Sequence, residues 1–105
     1  VYGGAVPPEQ VDAYVTHLSE PGALTAALGW YRAMDSGVAS LPAVTVPTTF
    51  VWSDGDAYIG RVPAEQCGDH VTGDYRFVEL AGVSHWVPEE AAEALATAVL
   101  DRVGG

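Results

Sequence analysis

Two short β-rich runs with a helical stretch between them constrain this chain more than anything else in it. Thr48-Thr49-Phe50-Val51-Trp52 is β-branched or aromatic and almost continuously apolar, the composition of a strand covered on both faces. The turn-forming residues Ser53-Asp54-Gly55-Asp56 end that run. Residues 75–80 read as a second strand. Between the two, residues 62–71 read as a short helix, with Ala64, Cys67 and Val71 on one side and Glu65 and Asp69 on the other. A loop over residues 81–86 leads into Pro88-Glu89-Glu90. A proline in the first turn and two carboxylates at the positive end of the dipole suit a helix start there. This last helix is expected to bury Ala92, Leu95, Ala96, Val99 and Val103. Strand, helix, strand, helix is the order of a right-handed crossover in a parallel sheet, so the fold class is α/β. Two parallel strands leave bare edges and bare faces, so the unit calls for neighbours that the 105 residues do not supply.

The first third of the chain has a different rhythm. Pro7-Pro8-Glu9 marks a helix entry, and Val11, Tyr14, Val15 and Leu18 then recur at helical spacing. After Ser19-Glu20-Pro21-Gly22 a second helix places Leu24, Ala27, Leu28, Tyr31 and Met34 on one face and is expected to stop near Gly37. Residues 40–47 read as irregular, because two prolines deny ladder donors and push their predecessors toward extended backbone.

Charge narrows the range of partners. Fourteen acidic against four basic side chains give a formal net charge of −10, and Arg32, Arg61, Arg76 and Arg102 are scattered. Phosphate backbones and anionic membrane surfaces need clustered cations, so neither nucleic acid nor membrane is an expected partner. Cys67 is the single cysteine and can form no internal disulfide. With no apolar run near ~20 residues and no basic-then-apolar leader, a cytoplasmic protein is the expectation. Val1 in place of methionine is compatible with processing, with a missing upstream chain or with an incomplete record.

The chemistry concentrates at the strand ends. Asp56 follows the C-terminal end of the first strand, and His85 follows that of the second. In parallel sheets, catalytic groups gather at this edge. Neighbouring strands lie ~4.8 Å apart, close enough for their loops to bring a carboxylate to an imidazole. Such a couple fixes the ring's tautomer and stabilises the imidazolium formed when it takes up a proton. The alternative is a turn aspartate and a loop histidine with no shared task.

Three stretches resemble a known family. Pro47-Thr48-Thr49-Phe50-Val51-Trp52-Ser53-Asp54-Gly55-Asp56-Ala57-Tyr58-Ile59-Gly60 is similar to the seventh-strand segment of α/β-hydrolases, where a buried strand ends in a small residue and the catalytic acid follows by three positions. Gly82-Val83-Ser84-His85-Trp86-Val87-Pro88-Glu89-Glu90 is similar to the loop after strand eight, which carries the catalytic histidine and opens the last helix. Pro21-Gly22-Ala23-Leu24-Thr25-Ala26-Ala27-Leu28-Gly29-Trp30-Tyr31-Arg32 resembles a cap helix of the epoxide-hydrolase and haloalkane-dehalogenase branch. The resemblance implies a partial α/β-hydrolase fold: residues 1–40 as the end of a helical cap, residues 41–105 as the last two strand–helix units. It makes Asp56 the acid, His85 the general base and Tyr31 a cap tyrosine that hydrogen-bonds an epoxide oxygen. Asp54 competes with Asp56 for the acid role, and the spacing from Trp52 favours Asp56.

The family's nucleophile is missing, since no Gly-bracketed elbow with Asp or Ser occurs. The resemblance therefore implies a hydrolase whose nucleophile lies upstream, acting on a small apolar substrate held jointly with that upstream part, and an inactive chain as given. A serine esterase or thioesterase on the same scaffold is one alternative; a non-catalytic acidic interaction module is another. No cofactor and no metal are expected. Cys67, Asp69 and His70 lack a fourth ligand at a recognised spacing. Asp54, Asp56 and Glu65 fit a calcium-loop count except that Ile59 stands where glycine is needed. His17 on a polar helix face and the glutamates Glu89, Glu90 and Glu93 read as solvent-facing. The oligomeric state is not written in the sequence, and an isolated chain is expected to be marginally stable or aggregation-prone because a sheet edge and the cap underside are bare.

Overall fold

The computed structural model of the chain describes residues 4–34 and 41–104. The chain divides into two compact units, one of Val6–Pro42 and one of Val1–Ala5 with Ala43–Gly105. The second unit carries the sheet. Strands β1 (Thr48–Ser53) and β2 (Tyr75–Leu80) run parallel, with Thr48 opposite Tyr75 and Ser53 opposite Leu80. Pairing starts earlier than the prolines suggest. Val44 and Val71 form an isolated parallel bridge, with Val44 N–H donating to the His70 carbonyl and Thr72 N–H to that of Val44, each at 2.8 Å. The ladder then breaks where Pro47 offers no donor. At that break Gly73 approaches the segment before β1 so closely that a Cβ would lie 2.6 Å from the carbonyl oxygens of Thr45 and Val46, so a glycine is required there.

The crossover is shorter than its periodicity predicts. Helix α3 covers Arg61–Gln66, a 3-10 turn covers Cys67–His70, and Val71 is already extended at φ −118° and ψ 120°. Tertiary pairing overrides the helical pattern, since Val71 is drawn into its bridge with Val44. Gly68 lies against the ring of Tyr75, where a Cβ would come within 2.8 Å. Ala64 is fully buried and Trp52 is 4% exposed. The Trp52 ring stacks on Phe77 with centroids 6.2 Å apart, and its Nε1–H donates to the Ile59 carbonyl at 2.9 Å. Arg61 lies 4.9 Å from the ring centroid of Trp52, and its guanidinium grips both oxygens of Glu79 on β2 at 2.9 and 2.6 Å. One side chain thereby ties the crossover helix to the second strand.

The final helix is broken in two. Helix α4 (Val87–Glu90) has proline in its first turn, Ala91 departs to φ −134° and ψ 42°, and helix α5 (Ala92–Val103) follows. Its apolar face is less covered than expected: Leu95 is half-buried, whereas Ala92 and Ala96 are exposed, as are Val99 and Val103 at 51% and 72%. A two-stranded sheet is too narrow to cover that face, and Thr49, Val51, Leu95, Ala98 and Val99 instead line an open groove of about 190 Å³. Arg102 anchors the helix to β1, donating to Thr49 Oγ1 and the Thr48 carbonyl, both at 2.8 Å, and to Asp74.

In the other unit, α1 (Pro8–Leu18) and α2 (Ala23–Ala33) form a helical hairpin. Ser19 closes α1 with its hydroxyl on the Val15 carbonyl at 2.7 Å. Gly22 then starts α2 at φ 84°, a left-handed conformation that suits glycine. Leu24, Leu28, Tyr31 and Met34 are exposed by 42–73%, so the apolar face of α2 is open. Helix α2 ends at Ala33 with Met34 extended; Gly37, the expected stop, lies outside the described residues. Among the described residues no helix is long and apolar enough to cross a membrane.

Candidate active site

Asp56 and His85 meet at the carboxyl ends of β1 and β2. The His85 Nδ1 lies 2.8 Å from Asp56 Oδ2. The other carboxylate oxygen, Oδ1, accepts the backbone N–H groups of Tyr58 and Ile59 at 2.8 and 2.9 Å. The side chain of Asp56 is only 7% exposed. Burial by itself would raise its carboxyl, but the hydrogen bond from His85, those from Ile59 and Tyr58, and the charge of His85 together hold it below the ordinary value. It is therefore an anion at neutral pH, able only to accept hydrogen bonds. An acceptor at Nδ1 places the ring's proton on that nitrogen and leaves the Nε2 lone pair for a substrate or a water. The His85 side chain is 38% exposed.

The loops are fixed by contacts beyond the pair. Ser53, the last residue of β1 and 1% exposed, donates to the Ser84 carbonyl at 2.6 Å. Asp54 Oδ1 accepts the Gly82 N–H at 2.6 Å, and Gly55 N–H donates to the Val83 carbonyl at 3.1 Å. Asp54, the rival acid, thus braces the histidine loop rather than the imidazole. Glu90 accepts the Ser84 backbone N–H at 2.9 Å and also the Ser84 hydroxyl, so it is not simply solvent-facing. Tyr58 sets its ring edge toward His85 with centroids 4.8 Å apart, and Trp86 lies 5.2 Å away on the same measure. Trp52, Asp56, Ile59, His85, Val87 and Pro88 border an open, mostly apolar concavity of about 280 Å³.

Three residues were expected to serve one site. The structure joins Asp56 and His85, while Tyr31 belongs to the other unit, where it stands 73% exposed on α2. Ser53, Glu90, Gly55 and Tyr58 were missed, because hydrogen bonds from one loop to the next leave no periodic trace. Among the described residues no group of three or more His, Cys, Asp and Glu is placed to hold a metal ion.

No family model matches the chain. It is 39% identical over 85 residues to the AB hydrolase superfamily protein YfhM of Bacillus subtilis, a match covering 78% of this chain and 29% of that protein. To human epoxide hydrolase 4 it is 33% identical over 86 residues, covering 78% and 23%. The crystal structure of epoxide hydrolase A from Mycobacterium thermoresistibile superposes with a TM-score of 0.75 at 27% identity, over 97% of this chain and 33% of that one. The chain thus spans between 23% and 33% of the length of these proteins.

Proposed function

We propose, from the premise that this chain belongs to the α/β-hydrolase fold family in its epoxide-hydrolase-like branch, that it supplies the acid and base of a catalytic triad whose nucleophile lies outside these 105 residues. One observation carries the reading: the 2.8 Å contact between His85 Nδ1 and a nearly buried, ionised Asp56. In the proposed reaction a carboxylate nucleophile attacks an epoxide carbon, the C–O bond breaks, and an ester joins substrate to enzyme. Tyr31, carried over from the family resemblance, hydrogen-bonds the departing oxygen. His85 Nε2 then takes a proton from water as its oxygen attacks the ester carbonyl. The intermediate collapses to the carboxylate and an alcohol, and the imidazolium proton passes to the alkoxide left by ring opening, so that a diol leaves and the imidazole is neutral again. Asp56 stabilises the imidazolium in between.

The names of two similar proteins, epoxide hydrolase 4 and epoxide hydrolase A, favour an epoxide over a simple ester. The mostly apolar concavity beside His85 favours a small apolar substrate. Residues 1–40 are assigned to the end of a cap, and the lone Cys67 favours a cytoplasmic location. Neither nucleic acid nor membrane is a proposed partner, given the net charge of −10.

The test is His85→Gln in the complete enzyme that contains this chain. Epoxide opening should proceed once, leaving a covalent ester detectable by mass spectrometry, while turnover is lost. Wild-type turnover in that variant removes His85 from the mechanism. The 105-residue chain alone should turn over neither an epoxide nor a p-nitrophenyl ester.

A further inference from the structure

We infer that Glu90 is a positioning residue that sets the place of the base by holding the residue before it. The inference rests on the proposed role of His85 and adds to it the means by which the ring is kept in place. His85 makes one side-chain hydrogen bond toward Asp56, so the direction in which its ring leaves the loop depends on the backbone at Ser84. That residue is held from two elements. From β1, the buried Ser53 hydroxyl donates to the Ser84 carbonyl at 2.6 Å. From α4, a single oxygen of Glu90, Oε2, accepts both the Ser84 N–H at 2.9 Å and the Ser84 hydroxyl. The same hydroxyl accepts the Trp86 N–H at 3.3 Å, so the carboxylate reaches both sides of His85: Ser84 directly, and Trp86 through the serine oxygen.

Glu90 lies on the exposed side of this arrangement, where hydrogen bonds contribute little to folding because water replaces them. Placement of a catalytic group is far more demanding, and a shift of the order of 1 Å costs on the order of 100-fold in rate. Loss of Glu90 should therefore weigh much more on the step that uses His85 than on the stability of the fold. The step preceding it, attack by the nucleophile, does not use the imidazole as a base and should be spared. A glutamine at this position offers one amide oxygen to the same two donors, so acceptor geometry and charge can be separated.

The experiment is rapid-quench kinetics on the complete enzyme, following ester formation and ester hydrolysis separately for Glu90→Ala and Glu90→Gln. Glu90→Ala should slow hydrolysis by about 10- to 100-fold with ester formation unchanged, and Glu90→Gln should recover most of that loss. Hydrolysis at the wild-type rate in Glu90→Ala overturns the inference, and so does an equal loss in both variants. If Glu90→Ala does not fold, Ser84→Ala removes the hydroxyl arm alone and should slow hydrolysis severalfold; an unchanged rate there also overturns it. His85→Gln measured alongside separates the two claims. Retained hydrolysis in that variant sinks the role of His85 itself, whereas an inactive His85→Gln beside a fully active Glu90→Ala sinks only Glu90.

Discussion

Replacing Gly55 with alanine tests whether contact between the two loops places the base. A Cβ built at Gly55 would lie 2.5 Å from the Val83 carbonyl oxygen and 3.2 Å from its carbon. Ordinary contact begins near 3.4 Å, so the Val83 peptide must retreat by about 0.9 Å. The Gly55 N–H bond to that same oxygen, 3.1 Å long, is lost or stretched in the process. Gly55 is not among the positive-φ glycines, so alanine adds steric pressure without backbone strain. Val83 stands two residues before His85, and the Ser84 carbonyl between them is pinned by Ser53. The strain therefore passes into the segment that aims the ring. Overpacking of this kind costs about 1–3 kcal/mol of stability, and a displacement near 1 Å costs on the order of 100-fold in the hydrolytic step. The assay is single-turnover ester hydrolysis in the complete enzyme, with urea unfolding on the same samples. Gly60→Ala is the control, since a Cβ there meets nothing within 4 Å and its backbone is extended at φ −69° and ψ 167°. Gly55→Ala hydrolysing within about twofold of wild type would refute the claim that loop contact sets the placement.

Three further outcomes follow from the same geometry. Ser53→Ala leaves the Ser84 carbonyl without its buried donor and should lower stability by about 1–3 kcal/mol, read as a shift of the urea midpoint; an unmoved midpoint contradicts it. Arg102→Ala removes the bonds to Thr48, Thr49 and Asp74 and should cost about 1.5–3 kcal/mol, whereas an exposed pair would be worth far less. Stability should also fall with acid. Asp56 is lowered by His85 and the Ile59 and Tyr58 amides against the raising effect of burial, Asp74 chiefly by the Arg102 hydrogen bond and Glu79 chiefly by that from Arg61. Their contribution is complete above the ordinary values of 3.8 to 4.5 and disappears as the pH drops through the lowered folded values. A urea midpoint that stays level between about pH 6 and about pH 2 would show that these contacts do not matter.

The parts of this fold that depend on local periodicity were readable from the residues. Thr48 to Trp52 announces a strand through β-branched and aromatic side chains, although only Trp52 and Ser53 of β1 are buried and the rest is half-buried, and the strand–helix–strand order dictates parallel pairing. The carboxylate and the imidazole stand at corresponding ends of the two strands, so their meeting could be anticipated from topology. Val44 could not be placed in the ladder, because its neighbouring prolines argue against a strand and only its partner Val71 restores it. That same bridge shortens the helix predicted over residues 62–71. The break at Ala91 has no marker residue, and the residues Ser53 and Glu90 that hold Ser84 lie 31 and 6 positions from it. Nor could pattern alone anticipate how open the α5 face is, because amphipathic spacing reports which side seeks cover and not whether cover is present.

The two oxygens of Asp56 have separate duties, and this makes the site intolerant of an amide. An asparagine would turn its carbonyl to the two peptide donors at Tyr58 and Ile59, since its NH₂ group would repel them. Its nitrogen would then face the ring and donate to Nδ1, forcing the imidazole proton onto the far nitrogen. His85 would keep its position, its neighbours and its exposure, yet confront the incoming water with a hydrogen instead of a lone pair. At this position an isosteric exchange could switch off the base with hardly an atom displaced.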